Sequence, residues 1–194
     1  MSHGHFAGTP RTEWLNEHGG DRNMRLLERF SFRDPANKDW HAKADAIIDG
    51  ASIPRPLWTL VGSPFTGDYR RASIVHDVAC QEAGSDKAKR RAADRMYFHA
   101  CRAGGCSAWE ATIQYLGVRV GAAWPFTNEW LVDDASTRLN GRITRHASEV
   151  RMEADFQRIA ELVLSGGETD DPDVLERRTD SAYAVVMGDR FPDI

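Results

Sequence analysis

The stretch from Asp68 to Arg102, DYRRASIVHDVACQEAGSDKAKRRAADRMYFHACR, reads as two helices joined by a tight turn. The first helix, from about Asp68 to Gln81, sets Ala72, Val75 and Ala79 on one side with Ile74 and Val78 nearby. Gly84 is placed to end it, and Ser85 to cap the next helix, which runs to about Arg102 and stops at Gly104-Gly105. Within these apolar patterns stand His76 and Asp77 on the first helix and Asp94 on the second. Imidazole and carboxylate groups are costly to bury unless partnered, so three of them on one helical hairpin mark the candidate reaction centre.

Downstream, Ser107 to Glu110 forms a capping box, and Trp109, Ile113, Leu116 and Val120 follow at helical spacing in a helix that ends before Pro125. The aromatic segment WPFTNEW (Trp124–Trp130) leads to a further expected helix from about Thr137 to Leu164. Its apolar face holds Ile143, Ala147, Val150, Ala154 and Ile159. The acidic run GGETDDPD and a mixed end containing AYAVVM close the chain as a tail, either disordered or clipped to a partner.

Upstream, Leu26, Phe30 and Phe32 fall at even positions and Arg25, Arg29 and Ser31 at odd ones, the period of a half-buried strand interrupted by Glu28. The turn formers of DPANKD separate it from a second alternating run, Trp40 to Ile48. The segment DGASIPRPLWTLVGSPFTG then carries two glycine-containing loops around one short helical turn at Leu57–Val61. Pro54 and Pro56 forbid a central strand or helix interior there.

These signals predict an α+β fold, mainly helical, with an N-terminal β-hairpin packed on a bundle of about four or five helices. The expected organisation is a flexible arm over 1–22, a single globular domain over 23–165, and an acidic tail over 166–194. Within the domain the hairpin spans 24–48, the loop 49–67 and the helical core 68–165.

The 194 residues fit one such domain. A net charge of -4 argues against a nucleic-acid partner, since phosphate binding needs concentrated Lys and Arg. No apolar run approaches the roughly 18 residues of a membrane span. The first residues lack the basic start and apolar stretch of a secretory signal, so the cytoplasm is the expected compartment, with leaderless export or virion association as alternatives. Cys80, Cys101 and Cys106 are odd in number and without CxxC spacing, which favours free thiols.

Neighbours on a helix differ by about 100°, so His76 and Asp77 cannot face each other. The group orienting His76 must come from elsewhere, and Asp94 on the antiparallel helix is the candidate. It would fix the tautomer at one ring nitrogen and leave the other as a base. Asp77, with loop carbonyls or Asp49, can hold a hard cation such as calcium. Blander roles stand beside these: a satisfied core histidine, Asp77 capping the loop before it, Asp94 paired with Arg90 or Arg91, and Asp49 as a turn residue. Cys80, four residues after His76, offers two further readings. One is a thiol nucleophile with its base; the other is a zinc site with no clear fourth ligand. Ser52, Trp58 and Phe65 are the candidate substrate contacts, and Trp124 and Phe126 join Trp58 and Phe65 as a candidate apolar rim.

Two resemblances follow from these motifs. The order MRLLERFSF, DGASIPRPLW, GDYRRASIVHD, AADRMYF over about Met24 to Gly121 resembles a family of uncharacterised proteins that recurs among phage and prophage genes. It implies a phage setting near tail or lysis genes, and so tail or secretion-system partners. HDVAC followed by AADRMYF is similar to the paired helices of secretory phospholipases. That likeness implies a water-activating His76, a calcium-ligating Asp77, an orienting Asp94, and a calcium loop at Asp49–Ser52. The chain departs from those enzymes in lacking the glycine- and cysteine-rich calcium loop and the cross-linking cysteines, and Cys80 is offset by one position. The expected function is a phospholipase-like hydrolase acting on a lipid ester or another envelope bond. The alternatives are a non-catalytic tail or secretion-apparatus protein, and an effector delivered by such a machine.

Overall fold

The computed structural model describes residues 2–15, 23–50, 53–63, 66–123, 138–139, 142–143 and 147–188. The fold is α+β: short N-terminal strands precede a predominantly helical chain. Its residues group into two compact units, Met1–Ser52 with Ser63–Tyr115, and Ile53–Gly62 with Leu116–Ile194.

In the first unit the strands are β1 (His5–Ala7), β2 (Thr12–Trp14), β3 (Met24–Leu26), β4 (Phe30–Arg33), β5 (Asp39–Ala42) and β6 (Ile47–Ile48). They form two antiparallel three-stranded sheets in the orders β1-β4-β5 and β2-β3-β6. The expected hairpin is present at its centre: Phe30 opposes Ala42 and Phe32 opposes Trp40. Period-two patterning holds, with Phe30 and Phe32 buried and Arg33 exposed between the sheet and the turn. The turn is built by Asp34, whose Oδ1 accepts from the backbone N–H groups of Ala36 and Lys38, both at 2.9 Å. Asn37 takes the left-handed conformation at φ 64°.

Each arm of that hairpin is broken, and its outer part belongs to the other sheet. On the first arm Leu27, Glu28 and Arg29 are exposed in succession, so no single face can stay buried through them. On the second, Asp45 turns at φ 65° before Ile47 and Ile48 pair with β3. Residues 1–22, expected as an arm, supply β1 and β2. Phe6 of β1 stacks on Phe30 at 5.5 Å, and Nδ1 of His3 lies 3.1 Å from Nδ1 of His99. An isolated Phe and two histidines in a polar stretch carry no periodic signal, which is why these strands escape a reading by pattern.

Helices α2 (Arg70–Ala83) and α3 (Lys87–Gly104) follow, and α2 packs on both β4-β5 and β6. From Ala72 to Val78 every residue of α2 is buried, which makes it the central helix of this unit. Gly84 caps it at φ 54°. Asp86 rather than Ser85 caps α3, its side chain accepting from the Lys89 N–H at 3.1 Å. A carboxylate at this position also opposes the helix dipole, an advantage the serine lacks. At the start of α4 (Ala108–Ala123) the capping box is complete: Glu110 accepts from the Ser107 N–H at 2.7 Å and the Ser107 hydroxyl accepts from the Glu110 N–H at 3.1 Å.

The second unit contains a 3-10 turn at Arg55–Leu57 running into α1 (Trp58–Val61), the later part of α4, a two-stranded ladder of β7 (Arg138–Leu139) and β8 (Arg142–Ile143), α5 (Ala147–Leu164) and α6 (Pro172–Met187). α5 packs against α6 and the 3-10 turn. The expected long helix from Thr137 thus begins only at Ala147. The presumed tail contains α6, capped by Asp171 with Pro172 at its first position, and it buries Leu175, Tyr183 and Met187. Among the described residues no helix is long and apolar enough to cross a membrane.

Candidate functional site

α2 and α3 are joined by the short Gly84–Asp86 turn, which returns the chain antiparallel and sets residues of equal depth opposite each other. Ser73 meets Tyr97, their hydroxyls 3.4 Å apart, and His76 meets Asp94. Nε2 of His76 lies 2.8 Å from Oδ1 of Asp94, well inside hydrogen-bond range. A carboxylate accepts, so Nε2–H donates, and in the neutral ring Nδ1 carries the lone pair, with Cys80 Sγ 3.8 Å away. His76 is 0 % exposed and Asp94 3 %.

Tyr97, one turn after Asp94, was not singled out by sequence patterning, yet it completes the surroundings of the imidazole. Its ring centroid lies 4.8 Å from that of His76. Its hydroxyl donates to Oε1 of Gln114 on α4 at 2.9 Å. Spacing of three residues from Asp94 on one helix face was the available signal. Cys80 closes the other side: its Sγ is 3.5 Å from Nε2 and 3.8 Å from Nδ1 of His76. Burial by itself disfavours a charged imidazole, but Cys80 and Asp94 outweigh it and raise His76 from its ordinary 6.5 to about 10.

Asp77 points elsewhere, as the helical angle requires. Its Oδ2 accepts from the backbone N–H of Gly50 at 2.7 Å and of Asp49 at 3.1 Å. Gly50 is buried at φ 101°, a conformation costly for any residue with a Cβ, and it turns the loop so that two successive N–H groups face one carboxylate oxygen. Oδ1 of Asp77 is also buried, and it has no hydrogen-bond partner. Burial, and next the charge of Asp49, push this carboxyl up to about 7 against the two N–H groups that favour its ionised form. The Asp49 side chain is itself exposed, so it meets Asp77 through its backbone and its field.

The structure therefore brings together His76, Asp94, Cys80 and Tyr97, and ties Asp77 to the Asp49–Gly50 loop. Trp58 belongs to the second unit, where its Nε1 donates to the Ile53 carbonyl at 2.9 Å. Ser52, Phe65, Trp124 and Phe126 lie outside the described residues. All three cysteines are free and buried.

Two curated relatives resemble the chain, both from Sinorhizobium fredii. Uncharacterized protein y4jT is 37% identical over 97 residues, which is 49% of this chain and 27% of that protein. Uncharacterized protein y4iH is 39% identical over 62 residues, 31% of this chain and 26% of that protein. The chain thus spans only about a quarter of the length of either relative. No solved structure matches it. Residues 24–118, from β3 through both site helices into α4, match a family described as Protein of unknown function (DUF1353).

Proposed function

We propose that this chain is a hydrolase of phospholipase-like type, with its reaction centre on α2 and α3 and a lipid ester or another envelope bond as substrate. The observation that carries the reading is the 2.8 Å contact of His76 Nε2 with Asp94 across the two helices. It holds one tautomer and leaves Nδ1 to take a proton from water. Asp94 orients and stabilises the imidazolium as it forms. Because His76 is raised to about 10, its basic form gains population as pH rises, and the reaction should quicken on the alkaline side.

The Asp77 side chain supplies the second support. A sealed structural cluster would satisfy each polar atom, yet Oδ1 is buried without a hydrogen-bond partner. Once this carboxyl has lost its proton, such an oxygen, in the field of Asp49, fits a hard cation of the calcium class. Asp77 and Asp49 would hold it, with the remaining positions for water and substrate. Bound there, calcium would polarise the scissile carbonyl and stabilise the developing oxyanion.

A second reading is favoured by one observation, the complete burial of His76. In it the same ion pair only ties α2 to α3 in a non-catalytic phage tail or secretion-apparatus protein. An effector delivered by such a machine would use the hydrolytic centre unchanged. The test is release of fatty acid from vesicles of mixed bacterial phospholipids, with calcium and with a chelator, by the wild type and by Asp77→Asn. Release that needs calcium and falls about 100-fold in the folded variant is expected. Equal release from wild type and variant, unaffected by the chelator, would remove Asp77 and the cation from the mechanism.

A further inference from the structure

The hydrolytic reading leaves Cys80 without a part, although its sulfur faces the imidazole. One nitrogen of His76, Sγ of Cys80 and one oxygen of Asp94 all lie within 4.8 Å of one another, and all three residues are buried. We propose that these three side chains form a site for a thiophilic divalent cation of the zinc class, distinct from the all-oxygen position at Asp77.

Local structure produces the arrangement. His76 and Cys80 are one turn apart on α2 and so share a face, and Asp94 is delivered to that face by α3. Tetrahedral zinc with bonds of about 2.0–2.3 Å sets its ligand atoms roughly 3.3–3.6 Å apart. The Nε2–Sγ separation of 3.5 Å falls in that range. Sγ also lies 3.8 Å from Nδ1, beside the ring, so the Cys80 side chain must turn toward the Nε2 edge to share a cation with it. The Nε2–Oδ1 separation of 2.8 Å is that of a hydrogen bond, and it opens by about half an ångström when the cation replaces the shared proton. Binding therefore releases the Nε2 proton and the thiol proton, since both atoms ligate only when deprotonated.

The donor set decides which cation is taken. Imidazole and thiolate favour zinc and its neighbours over calcium and magnesium, which prefer oxygen. Three protein ligands leave a fourth tetrahedral position for water, as in zinc sites that are not purely structural. Occupancy would consume the lone pairs around His76, so zinc and general-base catalysis by His76 exclude each other. The site does not rest on the hydrolytic reading, because cation binding is read without substrate.

The experiment titrates the chelator-treated, reduced protein with Co2+, a spectroscopic substitute for Zn2+, and then displaces it with Zn2+. Saturation at one equivalent is expected, with a thiolate-to-cobalt charge-transfer band that zinc abolishes. Cys80→Ala, checked for native circular dichroism, should lose the band and at least about 100-fold in affinity, more than outer-shell changes cost. Cys80→Ser serves the same comparison if the alanine variant does not fold. Absence of saturable binding in the wild type would overturn the proposal. So would a band that persists at wild-type affinity in the folded Cys80 variants, which would assign it to Cys101 and Cys106.

Discussion

His76 and Asp77 are adjacent in the chain and both shift upward, for different reasons. Burial opposes the shift of His76, which Cys80 and Asp94 produce, whereas burial itself produces that of Asp77. The consequence is a stability that declines with pH. His76 is raised from 6.5 to about 10, so its protonated form stabilises the native state fully below 6.5 and loses that contribution as pH climbs toward 10. Asp77 is raised from 3.8 to about 7, so between those values the native state holds a proton that the unfolded chain has released. Stability therefore falls with rising pH across that window as well. Thermal melts from pH 5 to 10 should show a steadily decreasing midpoint, and Asp77→Asn should flatten the part below pH 7. A midpoint that rises over this span would refute both assignments. At this scale His76 and Asp94 were legible, because charged or polar groups interrupt apolar helical runs. The anchoring of Asp77 was legible only as a cap on the loop before its helix and not as far as Gly50, since a backbone N–H gives no side-chain signal and the loop is distant in sequence.

Helix ends and strand breaks show where local chemistry decides and where packing does. The Ser107–Glu110 box could be read directly, because both hydrogen bonds lie within four residues. Ser107→Ala should destabilise the native state by about 1 kcal/mol in chemical denaturation, with an unchanged denaturant slope. A change below a few tenths would mean that α4 is held by tertiary contacts alone. The α3 cap shifted by one residue because Ser85 and Asp86 are both competent, and only the turn geometry chooses between them. α6 was hidden by its acidic approach, although Asp171 followed by Pro172 is a helix-start signal. The hairpin arms looked continuous because alternation persists past the bends, whereas exposed Leu27 to Arg29 and the left-handed Asp45 redirect the chain between sheets.

The whole molecule divides into a strand-and-helix-pair unit that carries the candidate site and a second unit in which α5 packs on α6. Fold class was legible from the order of patterns, while this division was not, because α4 runs through it without a break in periodicity. Deleting everything after Gly167 should remove the buried Leu175, Tyr183 and Met187 and uncover α5. At about 1.5–3 kcal/mol for each buried side chain, the second unit should lose its cooperative unfolding and bind a hydrophobic dye. An unchanged unfolding curve would show that α6 contributes little.

In the proposed hydrolysis His76 is the base and Asp94 orients it, so both are needed for turnover. Breaking a buried pair typically costs about 3–5 kcal/mol, so His76→Ala and Asp94→Asn are first confirmed native by circular dichroism. Fatty-acid release from mixed bacterial phospholipids is then measured for the wild type and both variants, with calcium present. Release by the wild type that falls at least about 100-fold in each folded variant is the predicted result. Wild-type release that survives in folded His76→Ala, or no release from the wild type at all, would contradict it and leave the pair as a structural tie between α2 and α3.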